Sequence, residues 1–300
     1  MVCLVGSSQD CSLAVLYRKL KDVDPSLLNW YNTQAGPNDE LKDYFQQNSD
    51  QLRRQLNIIC SGNGGPFEGH AEYVLTADNF LKCVMMLLRV KAGVPAIVMG
   101  AAGCGKTSLV RFLAAICSAQ FRVLNVHAGV SRDNITDRLV GWIDEHRAMD
   151  MACPLWIFMD EINTCGELGF IKAVMCDRFL PGCHIPVNVS FFAACNPYVR
   201  RPEDGAAHIG LSLSGKAPAG RGDGLVYRVH PLVETMLDYI WDFGSLSPVD
   251  ERLYIAQYLG KLRGGDRLVC TVATSQQFMR RQHGADAVSM RDVRRMKILY

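Results

Sequence analysis

The hydrophobic positions between residues 94 and 195 fall mainly into short runs that do not alternate with polar positions. These runs are Val94–Met99, Phe121–Val126, Leu155–Met159 and Val189–Cys195. Runs of this kind are typical of strands that are buried on both faces of a sheet. The stretches between them have hydrophobic residues at helical spacing, over 108–119, 133–145 and 167–177. The pattern therefore predicts an α/β fold, a parallel sheet sandwiched between helices.

The segments on either side of this pattern predict the domain limits. Ser61–Pro66 is a cluster of Gly, Ser, Asn and Pro, which predicts a linker. This linker ends an N-terminal mixed and helical segment, 1–70, and separates it from the α/β pattern. The sequence suggests no role for this segment. A helix is expected from an N-cap at Thr76 to about Val90.

The C-terminal part becomes helical from Pro231 onward. We therefore expect the α/β core to span 71–231 and a small helical lid to span 232–300, with Ile240 on an apolar helix face. Residues 201–224 are rich in Gly, Ala, Pro and Ser and predict a loop, and 225–229 predict a fifth strand. The chain stops at Tyr300 inside an apparent helix, so the lid is expected to be truncated.

Composition narrows the class of protein. Of the 300 residues, 49% are hydrophobic, which is typical of a globular chain. The 32 Lys+Arg and 30 Asp+Glu leave a net charge of +2, which gives no reason to expect nucleic acid as a partner. No apolar run approaches the ~20 residues of a transmembrane helix. The 12 Cys include no C-x-x-C pair, which indicates reduced thiols and a cytosolic or nuclear compartment. Of the two, we expect a cytoplasmic location, in the cytosol. A zinc site built from distant Cys and His stays open.

One motif carries phosphate chemistry. Residues 100–107, GAAGCGKT, match the P-loop pattern in full, with a predicted strand before and a helix after. Glycines allow backbone N–H groups to surround phosphates, and the helix N-terminus favours an anion. Lys106 would reach the β- and γ-phosphates and Thr107 would bind Mg²⁺. The nucleotide-binding residues expected from this motif are Gly100, Gly103, Cys104, Gly105, Lys106, Thr107 and Ser108.

Polar residues follow two predicted strands. Asp160 and Glu161 end the run Leu155–Met159, and Asn196 follows the run that ends at Cys195. Asp160 would hold Mg²⁺ through its water shell, and Glu161 would be the general base for an attacking water. Parallel strands deliver their C-terminal ends to one crevice, so Asn196 is expected to reach the γ-phosphate. Acids that cap a helix, and an Asn chosen for a turn before Pro197, are the alternatives.

Together these motifs resemble the AAA+ ATPases, and among them the mysterin family of giant RING-type ubiquitin ligases with dynein-like AAA+ units. The matching phrases run from Tyr73 to the C-terminus. They are YVLTADN at 73–79, the P-loop, DEINTC at 160–165, AACNPY at 193–198, VYRVHPL at 226–232 and SMRDVR at 289–294. The resemblance implies that Asn196 is sensor 1, Arg228 an arginine finger and Arg291 sensor 2. Arg200 and Arg201 compete with Arg228 for that role, and Arg291 also fits an ordinary charged helix start.

The resemblance also implies function and partners. It implies ATP and Mg²⁺ as ligands, ATP hydrolysis coupled to conformational change, and neighbouring AAA+ units in the same chain or a homo-oligomer as partners. No RING-type Cys and His spacing is present, so ubiquitin transfer and a ubiquitin-conjugating enzyme as partner would need regions outside these residues. An ATP-binding assembly switch with little hydrolysis is the alternative. A P-loop kinase is a weaker one, since the acidic pair and strand-end Asn argue against it.

Overall fold

A computed structural model of the chain describes residues 3–6, 13–17, 19–34, 43–61, 73–101, 103–149, 153–197, 229–244, 246–260, 262, 264–283 and 287–299. The strands among them are β1 (Cys3–Gly6), β2 (Leu13–Leu16), β3 (Ala96–Met99), β4 (Gln120–Asn125), β5 (Leu155–Asp160), β6 (Val189–Cys195) and β7 (Ile240–Asp242). The helices are α1 (Pro25–Gln34), α2 (Ser49–Ser61), α3 (Ala77–Lys91), α4 (Lys106–Ile116), α5 (Arg132–Ala148), α6 (Leu168–Met175), α7 (Glu234–Leu237), α8 (Pro248–Leu259), α9 (Gly265–His283) and α10 (Met290–Leu299).

Five parallel strands form the central sheet, in the order β4-β5-β6-β3-β7. Along β5, Trp156 and Phe158 pack on one side with α3 and α4, whereas Ile157 and Met159 pack on the other side with α5 and α6. Both faces are therefore apolar, which is why the strand sequence does not alternate. The predicted parallel sheet between helices is confirmed.

Among the described residues, the fifth strand of the sheet is the edge strand β7, which pairs with β3 through Ile97↔Ile240 and Met99↔Asp242. Ile240 thus lies on a strand, and its prediction as part of a helix face was wrong, because pairing to β3 outweighs the helical spacing around it. The sheet extends into the segment predicted as lid. Of the predicted strand at 225–229, positions 225–228 lie outside the described residues.

The N-terminal segment packs on the same core as the P-loop helix. Tyr17, Tyr44, Leu52 and Leu56 are buried in one cluster with Phe80 of α3. Tyr44 bridges this cluster, since its ring centroid lies 4.6 Å from that of Tyr17 and 4.8 Å from that of Phe80. The segment therefore extends the helical layer on one face of the sheet.

Helices α8, α9 and α10 form a smaller unit with its own core of Ile255, Leu259, Val269, Val272 and Val293. An ion pair joins two of them, because Arg280 of α9 donates to both carboxylate oxygens of Glu251 of α8, at 2.5 and 2.6 Å. Glu251 is buried, so the bidentate pairing satisfies a charge that water cannot reach. No helix among the described residues is long and apolar enough to span a membrane.

Candidate nucleotide-binding site

The loop between β3 and α4 has the backbone that a phosphate-binding turn requires. Gly103 and Gly105 adopt φ angles of +80° and +99°, a region that side chains strongly disfavour. Gly105 is the N-cap of α4 and supplies no capping side chain. The first N–H groups of α4 are thus left for a ligand, and the helix dipole favours an anion there.

Lys106 folds back over this loop. Its Nζ donates to the carbonyl oxygens of Gly100 at 2.5 Å and Ala101 at 2.9 Å, and the residue is buried, with 8% exposed. Cys104 lies beside it, with its Sγ 4.0 Å from the same Nζ. Burial raises the pKa of the Cys104 thiol, although the Lys106 charge opposes that effect. Cys104 is therefore held as a neutral thiol next to a positive charge.

Strand β5, which β6 separates from β3 in the sheet, brings carboxylate groups to the edge of the sheet where the P-loop lies. Thr107, in the first turn of α4, donates from its hydroxyl to a carboxylate oxygen of Asp160 at 3.0 Å. Glu161 follows with φ +58° and ψ +37°, a strained left-handed conformation for a residue with a side chain. Its N–H donates to the other Asp160 oxygen at 3.1 Å. The Glu161 side chain is exposed and lines the cavity that the P-loop borders.

Asn196 lies at the end of β6 and is 7% exposed. Its backbone is held by a neighbouring side chain, because the amide of Asn163 donates to the Asn196 carbonyl at 2.9 Å and accepts from the Asn196 N–H at 3.0 Å. Asn196 also lines the cavity that the P-loop borders.

One cavity of about 220 Å³ brings these groups together. Its walls from the core include the residues from Gly103 to Ser108 and also Asp160, Glu161 and Asn196. The lid closes it with Arg291 and Arg294 from α10. Gly103 and α10 are in close contact, since a Cβ atom at Gly103 would lie 2.9 Å from the Cβ of Ser289.

Part of the cavity wall is aromatic, since Tyr73 and Tyr254 line it. Asn79 of α3 donates to the hydroxyl oxygen of Tyr254 of α8 at 2.5 Å and lies 3.4 Å from that of Tyr73. Burial raises the pKa of both tyrosines well above the ordinary value, so their hydroxyls stay neutral hydrogen-bonding groups. The two rings meet edge to face, with their centroids 6.2 Å apart.

The structure brings most of the predicted site residues to this one cavity. Gly103, Cys104, Gly105, Lys106, Thr107, Ser108, Asp160, Glu161, Asn196 and Arg291 all line it. Gly100 lies at the start of the loop, where a Cβ would come within 3.2 Å of Cys104 Sγ. The predicted arginine finger Arg228, like the competing Arg200 and Arg201, lies outside the described residues.

Several residues that line the cavity were not predicted as site residues from the sequence. These are Tyr73, Asn79, Leu246, Tyr254, Tyr258, Met290 and Arg294. Tyr73 and Asn79 lie within 73–79, and Met290 and Arg294 lie within 289–294, two of the phrases that resemble the mysterin family, which was a usable signal. Leu246, Tyr254 and Tyr258 carry none, because single apolar and aromatic residues are common on any surface.

The donor atoms at the strand ends suit Mg²⁺. The Thr107 hydroxyl and the Asp160 carboxylate are hard oxygen donors that are already within hydrogen-bond distance of each other. Mg²⁺ is usually held by one or two such groups together with substrate phosphates and water. No cluster of three His, Cys, Asp or Glu suited to a metal occurs in the described part of the chain.

A five-stranded parallel sheet with a P-loop after β3 and polar residues at the ends of β5 and β6 defines a P-loop NTPase of the AAA+ class, with a helical lid. Residues 73–199 match the family model described as the RNF213 AAA domain. This chain is accordingly an AAA+ unit that resembles RNF213, also called mysterin, and the resemblance seen in the motifs is confirmed.

The similarity covers most of the chain. The human E3 ubiquitin-protein ligase RNF213 is 33% identical over 288 residues, which cover 84% of this chain and 5% of that protein. The Danio rerio E3 ubiquitin-protein ligase rnf213-beta is 32% identical over 283 residues, 82% of this chain and 6% of that protein. The chain thus spans about one twentieth of the length of these relatives.

Among solved structures, the Thermotoga maritima RuvB Holliday junction branch migration motor is 11% identical, with a TM-score of 0.39. The match covers 74% of this chain and 68% of that one.

Proposed function

We propose that this chain binds ATP with Mg²⁺ and hydrolyses it, as one AAA+ unit of a longer protein of the ubiquitin-ligase type. The observation that carries the proposal is the single cavity that is shared by the P-loop, the Thr107–Asp160 pair, Glu161 and Asn196. A phosphate-binding loop alone would support nucleotide binding only. An exposed carboxylate beside it adds the general base that hydrolysis requires.

The residues divide the chemistry among them. Lys106 and the first turn of α4 bind the phosphates, and for this Lys106 exchanges its two loop carbonyls for phosphate oxygens. Thr107 and Asp160 would hold Mg²⁺, which neutralises charge on the β- and γ-phosphate oxygens. Glu161 accepts a proton from water as the water oxygen bonds to the γ-phosphorus and the bond to the β-phosphate oxygen breaks. Asn196 orients that water.

The arginines complete the charge balance. Arg291 enters the cavity from the lid, where it is placed to neutralise a developing charge on the γ-phosphate. Arg228 is proposed to act in the site of a neighbouring unit, either in the same chain or in a second copy. Movement of the lid against the core would then follow the state of the nucleotide, and coupling to ubiquitin transfer is proposed only through the longer protein.

Phosphate release from ATP, with and without Mg²⁺, tests the proposal. We expect Glu161→Gln to retain ATP binding and to lose turnover by about 100-fold or more, and Lys106→Ala to lose binding itself. The matched control is Glu145→Gln, the same change at an exposed carboxylate of α5 that pairs with Arg122. Turnover that is equal in the wild type and Glu161→Gln would remove Glu161 as the base.

The alternative is an ATP-dependent assembly switch. This alternative is supported by the proposed role of Arg228, because an isolated unit has no neighbour into whose site Arg228 could reach. Nucleotide binding that requires Lys106, with wild-type turnover no higher than that of Glu161→Gln at every protein concentration, would favour this second function over hydrolysis.

A further inference from the structure

We infer that Asn163 is a positioning residue for the reaction, acting through Asn196; the inference rests on the proposed ATP hydrolysis. Asn163 lies in the single turn of 3₁₀ helix Ile162–Thr164 that follows Glu161, and it is fully buried. It does not line the nucleotide cavity. Any effect that it has on turnover must therefore pass through a residue that does line it.

The sheet alone leaves Asn196 without backbone support. The last β6 residue in register with β3 is Cys195, opposite Met99, and pairing with β5 ends at Ala193. Asn196 lies one residue beyond, so its N–H and C=O have no partner from the ladder. The direction of its side chain depends on those backbone torsions, which an unpaired strand end does not fix.

Asn163 provides both missing partners. Its side-chain amide donates to the Asn196 carbonyl at 2.9 Å and accepts from the Asn196 N–H at 3.0 Å. Two hydrogen bonds from one planar amide to one residue fix that residue's position and orientation together. This arrangement connects the turn that carries Glu161 to the strand end that carries Asn196.

The turn that carries Asn163 is itself anchored. The Asn163 carbonyl accepts from the His230 N–H at 2.7 Å, and the hydroxyl of Thr164 donates to the carbonyls of Glu161 at 2.9 Å and Val126 at 3.2 Å. The amide of Asn163 thus projects from a backbone that is held from two sides. It keeps the proposed base and the proposed water-orienting residue at a fixed separation.

A double-mutant cycle separates positioning from mere stability. We expect Asn163→Ala to lower kcat on the order of 10- to 100-fold with little change in KM, because a small displacement of a catalytic group costs rate rather than binding. In an Asn196→Ala background the same change should have no further effect on kcat. It should still lower the Tm by several degrees there, because the backbone of residue 196 still needs its partners.

Thr136→Val provides the matched control. It also removes a threonine hydroxyl, but one that donates to the Arg132 carbonyl within α5 and makes no contact with Asn163 or Asn196. It should therefore leave kcat unchanged in both the wild-type and the Asn196→Ala backgrounds. If the effects of Asn163→Ala and Asn196→Ala multiply, the positioning role is wrong, while Glu161-dependent turnover in the wild type would leave the proposed function intact. Should Asn163→Ala fail to fold, Asn163→Ser, which has one hydroxyl in place of the amide, takes its place in the cycle.

A second measurement does not depend on turnover. Hydrogen exchange should show the Asn196 amide protected in the wild type and exchanging at least tenfold faster in Asn163→Ala, relative to amides of the same strand, since the loss of one buried hydrogen bond opens that site. Equal protection of that amide in both proteins would overturn the inference whether or not the chain hydrolyses ATP.

Discussion

Alanine at Gly103 should separate the P-loop from the lid. Gly103 has a φ of +80°, and a Cβ there would lie 2.9 Å from the Cβ of Ser289 and 3.1 Å from its Oγ. The Oγ could rotate only by giving up its hydrogen bonds with Asp292 and the Arg291 N–H. The Cβ cannot rotate, so the start of α10 must move away from the loop.

Two separate costs add at this position. The left-handed backbone costs an alanine about 1 kcal/mol, and forcing a methyl group into a packed contact costs about 1–3 kcal/mol more. We therefore expect Gly103→Ala to lower the free energy of unfolding by about 2–4 kcal/mol. ATP affinity should fall as well, because the displaced α10 carries Arg291 away from the cavity.

A matched variant isolates the backbone cost. Gly93 also has a positive φ, +67°, but nothing lies within 4 Å of a Cβ placed there. Gly93→Ala should lose only about 1 kcal/mol and leave ATP binding unchanged. Urea-induced unfolding gives the first quantity and equilibrium nucleotide titration the second.

Removing the obstructing side chain should restore the contact. Ser289→Gly deletes both atoms that the new methyl group would meet, and glycine at a helix N-cap costs only a few tenths of a kcal/mol. Adding it to Gly103→Ala should recover the packing cost and the ATP affinity but not the backbone cost. The reasoning fails if Gly103→Ala and Gly93→Ala are equally destabilised, or if Ser289→Gly recovers nothing.

Two further predictions concern strain and a buried charge. Glu161→Gly should abolish turnover yet stabilise the fold by about 1 kcal/mol in urea unfolding, since glycine relieves the left-handed backbone at φ +58°; a loss of stability would show that the side chain makes a favourable contact. Arg280→Met should destabilise the chain by about 3–5 kcal/mol, because it leaves the charge of Glu251, 4% exposed, without its partner. Adding Glu251→Gln should recover most of that loss in thermal unfolding, and a double variant as unstable as the single one would contradict the argument.

A strand of the sheet could be predicted from the sequence where burial on both faces requires a continuous apolar run. β5 has apolar residues toward both helical layers, so its run Leu155–Met159 could only be a strand buried on both faces or part of a buried helix, and its length favoured the strand. β7 gave no such signal. It has three residues, Ile240–Asp242, and is a strand because β3 offers it an open edge. That is a property of the neighbouring strand and not of the local sequence.

The residues around the P-loop could also be predicted from the sequence, because local motifs and the order of the strands determine where they lie. Lys106, Thr107 and the two glycines of the turn must be close in sequence, since one loop and one helix start hold them. The acids at 160–161 and Asn196 follow strands whose ends meet at one sheet edge. Local motif and parallel topology together were thus enough to predict which of these groups share a cavity. The roles that we assign to them remain predictions.

The contacts between the lid and the core could not be predicted from the sequence, because they join residues that lie far apart in the chain. Tyr254 reaches Asn79 across 175 positions of sequence, and Ser289 comes against Gly103 only when α10 is docked. No spacing rule connects such residues, since their proximity exists only after the two units have packed. Tyr254, Asn79 and Gly103, which take part in these two contacts, all line the same cavity. We therefore predict that a nucleotide bound in the cavity changes both contacts between lid and core, as the proposed coupling of lid position to nucleotide requires.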